Sequence, residues 1–327
     1  MSTPRSRAGA ATALFVALSA LVVTPGHAQK AYPNRPVRLI VPVAPGGGSD
    51  SLARLMAGKL SEQWKQQVVV DNRASASGTL AAELVARAPA DGYTLMFHNH
   101  QLMANTAMNP KLPYHPLTDF APITQLISSG FVLAVNAASP PRNLRGFIEW
   151  TRAYKGPLNY GTAGIGTGGH LAGALYNRMA GVNANHIPYK GTAPALVDLL
   201  GGQYQYGFLG LTPSIPLVRA GKLRALGVTS PRRISALPEV PPVADELPGF
   251  EVVGWYGIFG PARLPKPMVT MLNAELVKIL GEPDVRQRIV SEGAEPVGNT
   301  PEQFRQFLTA DLGKWTNFVK QTGAKVE

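Results

Sequence analysis

The stretch VPVAPGGGSD, Val41–Asp50, sets three consecutive glycines between an apolar run and a segment with helical spacing. Upstream, VRLIVPV has the composition of a strand. Downstream, Leu52, Leu55, Met56 and Leu60 recur at i, i+3, i+4 and i+8, which predicts one apolar stripe of a helix opening near Asp50. The first N–H groups of a helix have no intrahelical acceptor, and the macrodipole places about half a positive charge there. Glycine at such a turn lets an anion approach the main chain. The pattern therefore predicts a carboxylate or phosphate held at Ala44, Gly46, Gly47, Gly48 and Ser49.

A second stretch has the same grammar. NYGTAGIGTGGH, Asn159–His170, runs from a strand-like segment into Leu171, Ala174, Leu175 and Met179, again at helical spacing. It offers Thr162, Ala163, Gly166, Thr167 and Gly168 as a second anion-binding turn. Gly164, Gly166 and Gly169 match a dinucleotide fingerprint literally, but that motif needs an acid about 20 residues on for the ribose hydroxyls. None occurs before Asp198, and neither loop has the Lys-Ser/Thr pair of a P-loop, so a nucleotide is disfavoured. A pair of such loops points instead to one shared ligand, bearing a carboxylate or a phosphate, gripped from two sides.

The bulk of the chain fits an exported binding protein. Arg5 and Arg7 precede an apolar run from Ala8 to Val23 that ends in small residues, as a secretory signal peptide does, and cleavage is predicted after Ala28. The 327 residues include no cysteine, which excludes disulfides, thiolate metal sites and thiol nucleophiles. The net charge is +11, with eleven Lys or Arg against five acids between Ser129 and Phe250. The basic residues are scattered without interleaved aromatics, so an anionic small molecule is favoured over nucleic acid.

Strand-length runs (VRLIVPV, VVVDN, YTLMF, LNYGT, YQYGF, RALGVTS) alternate with helix-length segments, the pattern of an α/β protein with largely parallel sheets. TPEQ, Thr300–Gln303, is a capping box opening a C-terminal helix with Phe304, Phe307, Leu308 and Trp315 on its apolar face. Two uncharged stretches, ITQLISSGFVLAV and VVGWYGIFG, bracket the middle of the chain as crossing strands. The expected organisation is a signal peptide over 1–28, a first lobe from 29–128 and 251–327, and a second lobe from 129–250, joined by a double-strand hinge over a cleft.

Other polar candidates cluster after YTLMF, where His98, Asn99, His100 and Gln101 fall at the carboxyl edge of the first sheet and are read as neutral hydrogen-bonding groups for a ligand. Two imidazoles with no third ligand do not make a metal site, so no metal and no cofactor are expected. Ser49, His170 and Asp50 supply the residue types of a hydrolytic triad, but there is no G-x-S-x-G elbow and Asp50 reads as a helix cap. The chain is read as a binding protein, with an exported enzyme as the rival class.

With these residues identified, the mature chain resembles the exported solute-binding proteins of tripartite tricarboxylate transporters, the Bug or TctC-like family. The resemblance runs through YPNRPVRLIVPVAPGGGSD, GTAGIGTGGHLAG, PYKGTAPALVDLLGGQ, RAGKLRALGVTS and WYGIFGPARLPKPMVTMLNAEL. It implies a type II periplasmic-binding-protein fold, a small carboxylate (a dicarboxylate or an aromatic acid) held by main-chain amides at Ala44–Ser49 and Thr162–Gly168, and Asn105 as a further binding residue. It also implies a periplasmic monomer serving a membrane permease, or alternatively a sensor. The chain departs from the family pattern where acids become Gln205 and Leu209, which disfavours an ammonium-bearing ligand. Tyr204 and Tyr206 are expected on one strand face, in the core or lining an aromatic pocket.

Overall fold

The computed structural model describes residues 1, 3, 32–46, 48–75 and 78–322. Apart from residues 1 and 3, the expected signal peptide lies outside the described residues, as does Gly47. The first sheet opens with β1 (Val37–Val41), α1 (Gly48–Trp64), β2 (Val68–Asn72), α2 (Thr79–Ala86), β3 (Thr94–Asn99) and α3 (Gln101–Met108). β1 is an unbroken apolar run with four of its five residues buried, as expected of a strand covered on both faces. β2 and β3 flank it in parallel register.

β4 (Phe120–Ser129) leads through the single residue Gly130 into β5 (Phe131–Asn136), and the chain enters a second sheet. There β6 (Asn159–Thr162), α5 (Gly168–Ala180), β7 (Asn185–Pro188), α6 (Thr192–Leu200), β8 (Tyr206–Gly210), α7 (Leu211–Arg219) and β9 (Leu223–Val228) follow. The chain returns as β10 (Gly254–Pro261), then adds α8 (Lys266–Gly281), α9 (Pro283–Ser291), β11 (Ala294–Pro296) and α10 (Pro301–Thr322). Strand order is β11-β4-β10-β3-β1-β2 in the first sheet and β7-β6-β8-β5-β9 in the second. In each sheet the strand set antiparallel beside a run of three adjacent parallel strands is a crossing strand: β5 outward, β10 on return. This is the expected two-lobed α/β architecture with two crossings.

Thr229 laces the two crossings together. It is fully buried; its Oγ1 accepts from Phe131 N at 2.7 Å and donates to Val252 O at 2.6 Å. Its main chain exchanges further bonds with Phe131 and Val252.

α10 begins with the predicted capping box, Thr300 N donating to Gln303 Oε1 and Gln303 N to Thr300 Oγ1. Its apolar face joins both lobes: one buried cluster runs from Met96 and Trp255 through Phe304, Trp315 and Phe318 to Tyr176 and Phe208. Tyr204 and Tyr206 both pack in the core, but in different clusters and so on opposite faces, because Tyr204 precedes β8 and is not held to the strand's alternation.

Inside the α10 contact, Trp255 Nε1 donates to Asp311 Oδ2 at 2.9 Å. Burial raises the Asp311 carboxyl to about 6, the Trp255 bond opposing it. A carboxyl whose folded value exceeds its unfolded one costs stability progressively as pH rises from about 4 to 6. Asp311→Asn, which keeps an acceptor for Trp255, is expected to be more stable than wild type at pH 7.5 by about 1–3 kcal/mol. In thermal denaturation the gain should vanish below pH 4.

Candidate functional site

The first glycine turn is exposed at Ala44, Gly46 and Gly48, with Ser49 half-buried. Asp50 braces it from inside the first turn of α1. The Asp50 carboxylate, 3 % exposed, accepts from Gly46 N at 3.0 Å, Arg54 Nε at 2.8 Å and Asn72 Nδ2 at 2.9 Å. The Arg54 bond, helped by Gly46 and Asn72, holds that carboxyl down at about 2. Gly46, at φ +96°, occupies a region other residues rarely adopt. Ser49 Oγ donates to Tyr256 OH at 2.8 Å, and Tyr256, stacked on Phe97, also meets the Asn99 side chain.

The cluster after β3 is more enclosed than a row of ligand-facing groups would be. His98 has no exposed surface and lies behind Pro42 and Gly78; its Nδ1 accepts from Asn99 N at 2.9 Å. Asn99, 6 % exposed, uses Oδ1 to accept from Gln101 N, starting α3, on which Asn105 is buried and Gln101 half-buried. The His100 ring stacks on Trp315 of α10 and meets the edge of Phe131. Its Nδ1 has no hydrogen-bond partner among the described residues.

The second turn is held by its own side chains. Buried Thr162 shares a 2.7 Å bond with His186 Nε2 and accepts from Gly164 N, while Thr167 caps α5 by accepting from His170 N. Gly166 N donates to His170 Nδ1 at 3.3 Å. Ala163 is half-buried, and Gly166 and Gly168 are buried. Both of these glycines serve close approach: a Cβ on Gly166 would lie 2.7 Å from Met108 Cε of α3, and one on Gly168 2.3 Å from the Phe131 ring.

Between the lobes lies a cavity of about 190 Å³, lined by Gly48, His100 and Tyr256 from the first lobe and by Phe131 and Gly210–Pro213 from the second. Strands β1, β3 and β8 direct their carboxyl ends at it, as ligand sites in open α/β sheets require. The second turn does not line it; Phe131 stands between. Arg288 and Glu292 of the α9 region also line it, with Arg288 bonded to Ser51 Oγ at 2.6 Å and facing Glu292 at 3.6 Å. Sequence reasoning missed Phe131, Tyr256, Arg288 and Glu292. Only Phe131 carried a signal, as the residue following the glycine of the crossing. A larger groove of about 550 Å³ lies between α5, α10 and residues 249–252, and none of the predicted binding residues lines it. Among the described residues no group of three or more His, Cys, Asp or Glu is placed to hold a metal ion.

The family model described as Tripartite tricarboxylate transporter family receptor matches residues 52–324. The chain is 38% identical over 291 residues to the UPF0065 protein in the tcbD-tcbE intergenic region of Pseudomonas sp. strain P51, covering 88% of this chain and 87% of that one. It is 32% identical to Protein BugT of Bordetella pertussis, covering 97% and 99% of the two chains. Among solved structures, R. palustris Rpa4515 with adipate is similar at a TM-score of 0.77 and 35% identity, covering 90% of this chain and 99% of that one.

The second turn also carries a pH-sensitive element. His170 and His186 stack at 3.9 Å, and burial holds them down at about 4 and about 3 respectively, each therefore neutral in the fold. For imidazoles lowered from 6.5, the stability they confer is complete above that value and is lost as pH falls towards 4. The melting temperature should accordingly fall between pH 6.5 and 4. His186→Gln, which can still bond Thr162, should show a shallower decline in the same titration.

Proposed function

The chain belongs to the tripartite tricarboxylate transporter receptor family, and from that premise we propose that it captures a small organic carboxylate between its lobes and delivers it to a membrane permease. The family is one of receptors, and the rival reading as an exported enzyme is set aside. The observation that carries the proposal is the exposed glycine turn at the start of α1, whose Gly48 opens onto the interlobe cavity. The adipate-bound relative supports the ligand class.

In this reading residues 29–128 and 251–327 form one lobe and 129–250 the other, with 1–28 removed on export to the periplasm. No described helix is long and apolar enough to cross a membrane. The basic second lobe raises the local concentration of anions. The carboxylate then docks on main-chain N–H groups at Gly48 and Ser49, within reach of Tyr256 and Asn99. Rotation about Gly130 and Thr229 closes the lobes and excludes water. Charge-assisted hydrogen bonds contribute about 1.5–3 kcal/mol each, so four to six, less ordering costs, reach the roughly 8 kcal/mol of a micromolar complex. His98 supports the site from behind by fixing Asn99.

Gly48 allows a direct test, because a Cβ built there meets nothing within 4 Å. Gly48→Val should fold with a melting temperature close to wild type while its side chain occupies the docking place. In a thermal-shift screen of mono- and dicarboxylates, wild type should be stabilised by at least one acid, and the variant should need more than ten times as much of it. Equal affinity in a folded variant counts against the site.

A further inference from the structure

The two lobes also meet where the end of α9 touches the start of α7, and we infer that this corner is a latch whose contacts set how firmly the cleft retains its ligand. This rests on the reading of the chain as a two-lobed carboxylate receptor and adds residues that act on affinity through lobe closure. On the α9 side the lobes keep separate cores. Ile127, Ile289 and Ala294 belong to the first lobe's cluster, and Leu211, Ile215 and Ile234 to the second's. On the α10 side one buried cluster runs through both lobes, so the lobes part more readily at α9.

Three contacts make the corner. Thr212 Oγ1 of α7 donates to Glu292 O, just past α9, at 2.9 Å. Ser235 Oγ of the second lobe donates to Glu295 Oε1 of β11 at 3.2 Å. Between them Gly293 turns at φ +81°, and a Cβ there would stand 2.9 Å from both Leu211 Cβ and Ile215 Cδ1. A left-handed glycine is a common way to end a helix, but here the missing side chain also lets α7 seat against the turn. Thr212 and Ser235 are exposed, so water can replace the partner of either hydroxyl and each bond breaks with little loss. The contact is therefore reversible, in contrast to the buried packing under α10.

Each side of the corner is tied to the cavity. α9 is fastened to α1, the helix that opens at Gly48, by Arg288 bonding Ser51 Oγ at 2.6 Å and Lys59 bonding Glu282 at 2.7 Å. β11 pairs with Ser128 and Ser129, the last residues before the Gly130 crossing, so the corner moves with the first lobe. α7 moves with the second, and Gly210–Pro213 at its start form, with Phe131, that lobe's share of the cavity wall. Rotation about Gly130 that parts Thr212 from Glu292 therefore withdraws this wall from the docking place. A ligand held by one lobe alone keeps fewer contacts and leaves faster, so the population of the latched form multiplies into the apparent affinity.

The chain has no cysteine, so dyes can be placed through Val69→Cys in the first lobe and Val197→Cys in the second, both exposed, and lobe separation read by single-molecule energy transfer. In buffer without any acid, Thr212→Val combined with Ser235→Ala should raise the low-transfer population at least threefold over the dye-bearing wild type. Thr212→Ser, which keeps the hydroxyl, should leave the population unchanged. Titrated with whichever of adipate, L-malate and benzoate wild type binds, the double variant should regain the high-transfer form. It should bind at least fivefold more weakly, with the loss in the dissociation rate. Gly293→Ala, which wedges a methyl group against Leu211 and Ile215, should act in the same direction; the exposed Thr212 and Ser235 positions carry the test if it does not fold. Identical transfer distributions in wild type and the folded double variant overturn the latch, as does a shifted distribution with unchanged affinity. If wild type binds no carboxylate, the receptor reading fails, and the acid-free distributions still decide the latch.

Discussion

The insertion of β10 antiparallel between β3 and β4 is the constraint on which the site depends. A strand presents alternate residues to opposite faces. Trp255 accordingly turns into the core against Asp311 and the rings of α10, while Tyr256 turns towards Ser49 and Asn99. Tyr256 pairs with Asn99 on one side and Ile127 on the other, so the returning strand fixes its hydroxyl at the carboxyl end of β3. The same strand contributes Gly254, where a Cβ would stand 3.5 Å from both His100 and Phe131. One crossing strand thus fastens the C-terminal helix, positions the first glycine turn and leaves room for the Phe131 ring.

The main-chain donors of both glycine turns are met by side chains of the same turns. Gly46 N is held by the Asp50 carboxylate, Gly164 N by the Thr162 hydroxyl and Gly166 N by the His170 ring. A main-chain donor left unmet when buried costs about 1–3 kcal/mol, so the acceptor matters most at buried Gly166, whereas at exposed Gly46 the carboxylate mainly fixes the turn's geometry. They also differ in kind. Asp50 is a committed anion tied to Arg54, whereas His170 is a neutral ring. The first turn is therefore held by a committed anion, and the second by bonds that proton uptake weakens.

Much of this architecture was legible in the sequence because it follows from local periodicity. The stripe from Leu52 to Leu60 became α1, the equivalent stripe at Leu171 became α5, and Thr300–Gln303 closed its capping box. The double crossing was visible because strands buried in a hinge cannot carry charge. What was not legible depends on tertiary neighbours. His98 and Asn105 read as polar ligand groups, yet both are buried in the packing around β3 and α3. Tyr204 and Tyr206, two apart, were assigned one face, but strand geometry begins only at Tyr206. The glycines of the second turn looked like anion donors by spacing; part of their function is to admit Met108 and Phe131, which no local window reveals. Arg288 and Glu292 reach the cleft from a helix more than 230 residues after the glycine turn they face.

The position of α10 limits how the lobes can move. Its Trp315 stacks on His100 of the first lobe and its Phe318 meets His170 of the second edge-on at 5.0 Å, within one continuous buried cluster. Gly130 and the Thr229 lacing let the crossings bend, but any opening that carries the second turn away from α3 must also slide His170 past Phe318. Packed aromatic contacts favour discrete arrangements over gradual deformation. The motion expected is therefore a hinge with a defined stop, in which the stacked imidazoles sit both under the second turn and against the helix that opposes its withdrawal.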